Sequence, residues 1–186
     1  ILYIASFLEG QGHEVQVYDG YVDERAPNDF VAFNPDVIGF SVVTGPNLDG
    51  ALAQSREFKA LLPESKILWG NVHPSVMAEQ TLLEESIDFV AIGAGEYTLL
   101  ELLEHLRIGI PALDDIKGLA FRRDGGIVIN EKREFIRNLE DMPDPAWHLV
   151  NVNKYSGIGL NTSRGCAHRC TFCYNKSYNK DYIGYL

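Results

Sequence analysis

The chain has 186 residues, of which 46% are hydrophobic, and it carries a formal net charge of −10 at pH 7. This composition is typical of a soluble globular protein, and the acidic charge argues against nucleic acid as a partner. No apolar run approaches the roughly 20 residues of a membrane span, and no signal peptide is visible. We therefore expect a cytoplasmic protein without a membrane span.

The first hundred residues alternate helical and strand patterns. A helical pattern begins at Ile1 and ends at 10–12, and a short strand is predicted at 14–18. Three apolar runs predict buried strands at 36–43, 66–69 and 88–92. Helices are predicted between and after them, over 48–62 with Asn47 as the cap, over 75–85, and from 96 to 106. This order predicts an α/β fold, a Rossmann-like parallel sheet with right-handed crossovers.

The pattern changes after residue 108. Residues 119–123 and 127–131 flank the turn sequence 124–126, which predicts a β-hairpin. A linker is predicted at 138–157, because Pro143 and Pro145 occur there with few periodic apolar positions. Residues 158–162 then form a candidate first strand of a new domain. We thus divide the chain into an α/β domain at 1–108, a hairpin and linker at 109–157, and a third region at 158–186.

Polar or small loops follow the three buried strands, at 41–46, 70–74 and 93–96. In an open parallel sheet, ligands bind beyond the carboxyl ends of the strands, and small residues let a ligand approach the backbone. The loops are therefore a candidate ligand site. Ordinary βα turns would show the same residues, and the glycines at 93–95 are by themselves a weak nucleotide signal.

All three cysteines lie within eight residues, as Cys166, Cys170 and Cys173. Such clustering disfavours a disulfide framework and favours metal ligation. Three thiolates can bind three irons of a [4Fe–4S] cluster and leave the fourth iron open to a small ligand. The alternative is a zinc site that includes His168, although the second, separated pair of ligands typical of zinc knuckles is not present in this sequence.

The cysteine spacing resembles the signature of the radical S-adenosylmethionine (SAM) enzymes. Phe172 before the last cysteine and residues 161–165 before the first also resemble that family. The three loops, together with the linker sequence Pro-Asp-Pro-Ala-Trp at 143–147, extend the resemblance to the subgroup with a cobalamin-binding domain. It implies that 1–108 is a cobalamin-binding-type domain, and that 158–186 is the first strand and cluster loop of a partial TIM-type barrel.

The resemblance also implies cofactors and roles. The three cysteines would hold a [4Fe–4S] cluster, SAM would bind its open iron, and Phe172 and Tyr174 would lie near the adenine. One electron from a donor such as flavodoxin or ferredoxin would cleave SAM to methionine and a 5′-deoxyadenosyl radical, which takes hydrogen from a small-molecule substrate. Cobalamin would be bound by seven loop residues: Ser41, Thr44, Gly45, Gly70, Asn71, Gly93 and Gly95. Methyl transfer to an unreactive carbon is the expected reaction, with radical rearrangement and cyclisation left open.

The chain departs from the family pattern in its first domain. It has no Asp-x-His-x-x-Gly loop, so we expect His73 to be a turn residue and not a cobalt ligand. Gly70-Asn71 stands where the subgroup often has two glycines, and Gly93-Ala94-Gly95-Glu96 where it often has Gly-Glu-Gly-Glu. A structural zinc module and a corrinoid carrier without radical chemistry remain alternatives. A methylthiotransferase is disfavoured because residues 1–165 contain no cysteine.

We also expect the chain to be part of a longer enzyme. The first strand of the sheet would precede Ile1, and most of the barrel would follow Leu186. We therefore expect this chain alone not to turn over substrate.

Overall fold

The computed structural model describes residues 1–136, 138–168, 170–178 and 183–185. The chain forms two compact units. The sheet unit is Pro27–Glu134, and the cysteine unit consists of Ile1–Ala26 and Phe135–Leu186. None of the helices in the described part of the chain is long and apolar enough to cross a membrane. The predicted domain limits at residues 108 and 157 stay predictions.

The described residues of the sheet unit form one five-stranded sheet. Its strands, in spatial order, are β1 (Val37–Ser41), β2 (Lys66–Gly70), β3 (Phe89–Ala91), β4 (Leu119–Arg123) and β5 (Gly126–Ile129). The strands β1, β2 and β3 are parallel, whereas β4 pairs antiparallel with β3 and β5 antiparallel with β4. The α/β fold, the three strands and the hairpin are therefore confirmed. Burial is confirmed for β2 and β3 but not for β1, whose residues are half-buried or exposed because it lies at the edge of the sheet. The hairpin extends the same sheet, because Leu119, Ala120 and Phe121 pair with β3 and are buried.

One helix precedes these strands, and the others lie between them along the chain. In chain order they are α1 (Leu2–Gly10), α2 (Asn47–Leu61), α3 (Val72–Val76), α4 (Ala78–Leu82) and α5 (Glu96–Ile108). Two predicted details were wrong. The helix expected at 75–85 is divided into α3 and α4, because Met77 has non-helical dihedrals (φ −122°, ψ 41°). Asn47 is the first residue of α2 and not its cap, because Pro46 already has helical dihedrals (φ −57°, ψ −23°).

The core of the sheet unit joins β2, β3 and β4 to α5. Leu102 of α5 is fully buried and packs with Ile116 and the inward-facing strand residues. The complete cluster is Leu68, Phe89, Ala91, Leu102, Ile116, Leu119 and Phe121. Burying a large apolar side chain contributes roughly 1.5–3 kcal/mol, so this cluster fixes the sheet on which the loops are mounted.

The cysteine unit is built around α1. Ala5 packs with Val17 and Ala146, and the Ala146 backbone N–H donates to the Leu2 carbonyl at 3.1 Å. Beyond the linker lie β6 (Ser163–Gly165), α6 (Asn175–Tyr178) and β7 (Ile183–Tyr185), and β6 pairs antiparallel with β7.

Two strands predicted for this unit were placed wrongly. The strand expected at 158–162 lies at 163–165, where the backbone finds its partner in β7, whereas Ile158 and Leu160 are exposed. Residues 14–18 are not a strand, since no described strand pairs with them. An apolar alternation alone does not make a strand, because the ladder needs a second backbone.

Short 3-10 turns complete the structure. In the sheet unit they are Pro27–Phe30 and Leu113–Asp115, and in the cysteine unit they are Leu139–Asp141, Trp147–Leu149 and Val152–Lys154. The last three fall in the predicted linker and fit its irregular composition.

Candidate ligand site at the carboxyl ends of the sheet

Three loops meet at one edge of the sheet. They follow β1, β2 and β3, and because these strands are parallel, their carboxyl ends lie at the same edge. Ser41 is in register with Gly70, and the Val42 N–H continues the ladder by donating to the Gly70 carbonyl at 2.9 Å. The loops predicted from the sequence thus occupy the edge where open parallel sheets bind ligands.

Side chains connect the first loop to the second. The Asn71 Nδ2 lies 2.9 Å from the Ser41 Oγ, and the Thr44 Oγ1 lies 3.1 Å from the His73 Nδ1. The backbone N–H of His73 also donates to the Val42 carbonyl at 3.2 Å. Ser41, Thr44 and Asn71 are therefore brought together. His73 is buried, and its ring nitrogen is engaged within the loops.

A serine that sequence reasoning missed connects the second loop to the third. The Ser75 hydroxyl, on α3, donates to the Asn71 carbonyl at 2.6 Å and accepts from the Gly93 N–H at 3.0 Å. The available signal was its position four residues after Asn71, where a helical serine can bond back to the preceding turn. Ser75 thereby links two of the loops that the sequence could place only separately.

The glycines of the site differ in backbone conformation and in the space that a side chain would find. Gly45 (φ 134°) and Gly93 (φ 84°) have backbone conformations that favour glycine, and an added Cβ at either would meet no atom within 4 Å. A Cβ at Gly70 would lie 3.8 Å from the Ala91 Cβ, an ordinary contact. Gly95 has φ −90° and precedes α5. The space beside the Cα atoms of Gly45 and Gly93 is therefore open, and hydroxyl and amide groups of the first two loops lie at the same edge of the sheet.

Glu96 begins α5 next to this edge and is 3% exposed. A carboxylate at this position suits the positive end of the helix dipole.

The cysteines lie on a loop that follows β6 directly. Cys166 and Cys173 are half-buried, Cys170 is exposed, and none forms a disulfide. The Cys173 N–H donates to the Cys170 carbonyl at 3.2 Å, which closes a tight turn between them. Among the described residues, no three His, Cys, Asp or Glu side chains are gathered as metal ligands. The donor set itself, three thiols on one short loop, fits an iron–sulfur cluster.

Helix α1 holds the segment that leads into this loop. The Tyr3 hydroxyl donates to the Asn161 carbonyl at 3.4 Å, and the Arg164 guanidinium lies 5.7 Å from the centre of the Tyr3 ring. This is the distance range of a cation–π contact. The residues before Cys166 are therefore anchored to α1.

The aromatic residues predicted to meet SAM are exposed. Phe172 has 91% of its surface accessible and Tyr174 has 50%. The Tyr174 ring packs edge-on against Tyr178 with 6.0 Å between centroids. Both side chains are accessible to a ligand, and their contact with adenine stays a prediction.

Comparisons with known proteins agree with this picture. Residues 1–103 match the family model described as the B12 binding domain. The chain is 30% identical to an uncharacterized methyltransferase of Pyrococcus horikoshii, with 93% of the chain and 39% of that protein covered. It is 29% identical to the cytidylyl-2-hydroxyethylphosphonate methyltransferase of Streptomyces wedmorensis, with 92% of the chain and 42% of that protein covered.

A solved structure shares the fold. The cobalamin-dependent SAM radical enzyme OxsB, with aqua-cobalamin bound, superposes with a TM-score of 0.79 at 28% identity. The alignment covers 92% of this chain and 25% of OxsB. The chain therefore spans less than half the length of each of these relatives.

Proposed function

The chain belongs to the B12-binding domain family, which confirms the predicted resemblance, and we propose that it serves a cobalamin-dependent radical SAM methyltransferase. The observation that carries this proposal is the match of residues 1–103 to the cobalamin-binding family in a chain whose three cysteines lie on one loop. The polar loops at the carboxyl edge of the sheet support it, because they offer hydroxyl and amide groups beside open space.

The proposal assigns separate tasks to the two units. In the sheet unit, Ser41 and Thr44 bind the nucleotide tail of cobalamin, and Gly45, Gly70, Asn71, Gly93 and Gly95 line the groove that holds it. In the cysteine unit, Cys166, Cys170 and Cys173 hold the [4Fe–4S] cluster, and Phe172 and Tyr174 contact the adenine of SAM. When bound, the cluster supplies the electron that cleaves SAM reductively. An electron donor such as flavodoxin or ferredoxin would reduce it, and a small molecule would accept the methyl group.

The relatives suggest the class of reaction. Two carry methyltransferase names, and OxsB is described as a cobalamin-dependent SAM radical enzyme. Two anaerobic magnesium-protoporphyrin IX monomethyl ester cyclases match at a lower identity of 25%, so methyl transfer is the reaction proposed and cyclisation is the second candidate.

Anaerobic reconstitution with iron and sulfide tests the cluster. We expect about four irons per chain and a broad absorption band near 400 nm, as a [4Fe–4S] cluster gives. Cys170→Ala should lose both. His168→Ala is the matched control, because it leaves all three thiols in place and should retain the iron. Tightly bound zinc in the wild-type chain, with a lower zinc content in His168→Ala, would contradict the radical SAM proposal and favour the structural metal module.

Gel filtration with hydroxocobalamin tests the second cofactor. We expect the corrinoid absorption to elute with the wild-type chain and with Cys170→Ala, because the proposed cobalamin residues all lie in the sheet unit. Elution of all corrinoid in the small-molecule fraction would contradict cobalamin binding while leaving the cluster assignment intact.

A further inference from the structure

Asn71 holds a backbone conformation that is nearly reserved for glycine. Its dihedrals are φ 81° and ψ −163°, a region that side-chain-bearing residues rarely adopt because of steric strain. Such strain persists only where surrounding contacts hold it. Here the contacts come from Asn71 itself and from Ser75, whose hydroxyl donates to the Asn71 carbonyl at 2.6 Å.

The neighbours of the Asn71 amide fix which way it points. The Val72 backbone N–H, which can only donate, lies 2.7 Å from one end, so that end is the Oδ1 oxygen. The other end is therefore the NH₂ group, and it lies 2.9 Å from the Ser41 Oγ. Since an NH₂ group can only donate, Ser41 accepts this hydrogen bond.

A serine hydroxyl that accepts from one side keeps its own proton for another acceptor. Ser41 is exposed at the carboxyl end of β1, on the edge where the open space beside Gly45 and Gly93 lies. The direction of the Asn71–Ser41 bond thus occupies one lone pair of the Ser41 oxygen and leaves its proton free to donate toward whatever occupies this edge.

We propose that Asn71 is a positioning residue that makes Ser41 a hydrogen-bond donor, and so selects ligands whose tail presents an acceptor at this point. This inference rests on the proposed function, in which the ligand is cobalamin. The nucleotide tail of cobalamin carries phosphate, ribose and base acceptors. Cobinamide, the corrinoid without that nucleotide, lacks them. Asn71 should therefore matter for cobalamin and not for cobinamide.

The test is a double-mutant cycle with Ser41→Ala and Asn71→Asp, measured as the Kd of hydroxocobalamin and of diaquocobinamide. Aspartate has nearly the same shape and can still accept from Val72, but it replaces the NH₂ donor with an oxygen, so Ser41 would donate inward. We expect each single variant to weaken cobalamin binding roughly three- to tenfold, the range of one neutral hydrogen bond. The double variant should bind no more weakly than Ser41→Ala alone, because Asn71 acts through Ser41.

Two controls keep the test sharp. Asn34→Asp makes the same substitution at another positive-φ asparagine (φ 49°) of the sheet unit, before β1, and should leave both affinities unchanged. Asn71→Gly, which removes the strain as well as the amide, serves if Asn71→Asp fails to fold. Ser41 can then still donate but is no longer held by Asn71, so cobalamin binding should weaken by less than in Asn71→Asp.

The outcomes separate this inference from the proposed function. No cobalamin binding by the wild-type chain would overturn both. Cobalamin binding that is unchanged in Asn71→Asp would overturn only the inference. An equal loss of affinity for cobinamide in Asn71→Asp would also overturn the inference, because it indicates general damage to the site. So would a full further loss of cobalamin affinity when Asn71→Asp is added to Ser41→Ala, because it indicates that the new charge repels the tail directly.

Discussion

Tyr155 illustrates a residue whose ionisation is set by its surroundings. Its hydroxyl donates to the Asp19 Oδ2 at 2.9 Å within the cysteine unit. Burial, and secondly the hydrogen bond to Asp19, raise the pKa of Tyr155 to about 12 from the ordinary value of 10.0. The folded state thus favours the neutral phenol. Its stabilisation is complete below pH 10 and is lost as the pH rises from 10 toward 12.

We predict that Tyr155→Phe lowers the free energy of unfolding by about 1 kcal/mol at pH 8, the usual contribution of one hydrogen bond. Urea unfolding of both proteins checks this value. The difference in absorbance at 295 nm between wild type and variant should give a tyrosinate midpoint near 12. Asp19→Asn should lower that midpoint only in part, because burial is the larger cause. A wild-type midpoint of 10 would show that the phenol is solvated.

The sequence predicted the positions of some residues of the site but not their conformations or all of their partners. Ser41, Thr44 and Asn71 were placed correctly at one edge, since each follows an apolar strand and parallel strands end together. The conformation of Asn71 could not be predicted, because asparagine seldom adopts it. Ser75 was missed because its two partners, Asn71 and Gly93, are brought together only by the fold.

The connection between the third loop and β4 depends on Gly118. Its carbonyl accepts from the Ile92 N–H at 2.7 Å, directly before Gly93. At φ 75°, a Cβ on Gly118 would lie 3.0 Å from the Ile92 carbonyl oxygen and 3.1 Å from the Thr98 Oγ1. The Thr98 hydroxyl in turn donates to the Lys117 carbonyl at 2.8 Å, so neither neighbour moves freely.

Gly118→Ala should therefore lower the free energy of unfolding by roughly 2–3 kcal/mol, of which the left-handed backbone accounts for about 1 kcal/mol. Gly125→Ala is the matched control, because Gly125 has φ 77° but open space around its Cβ position. Its loss should be limited to the backbone cost of about 1 kcal/mol. Urea denaturation of both variants measures the difference. Equal losses would mean that crowding behind the third loop contributes nothing.

Strands and turns were predicted best where the local sequence pattern determines them. The apolar runs predicted β1, β2 and β3 to within two residues at each end. The turn sequence at Asp124 and Gly125 predicted the hairpin, and both residues have the positive φ that its turn requires. The addition of β4 to β3 could not be predicted, because strand pairing between distant segments leaves no local signal. The shift of β6 to 163–165 has the same cause, since its partner β7 lies about twenty residues later.

At the scale of the whole molecule, the two tryptophans report on different units. Trp69 lies in β2, is 2% exposed and directly precedes Gly70 of the candidate site, whereas Trp147 belongs to the cysteine unit. Labelling with 5-fluorotryptophan should therefore give two ¹⁹F resonances that follow the two units in one sample. Trp147→Phe assigns them.

A ligand that binds only the folded protein stabilises it by RT ln(1 + [L]/Kd), about 2.7 kcal/mol when the free ligand is at 100 times its Kd. Since all seven proposed cobalamin residues lie in the sheet unit, we predict that hydroxocobalamin at this level raises the unfolding midpoint seen at Trp69 by roughly 10–20 °C. Thermal unfolding followed by ¹⁹F NMR measures it. Diaquocobinamide, at the same concentration, should raise the midpoint less because it lacks the nucleotide tail. An unchanged Trp69 midpoint at saturating hydroxocobalamin would place the ligand outside the loops at the carboxyl edge of the sheet.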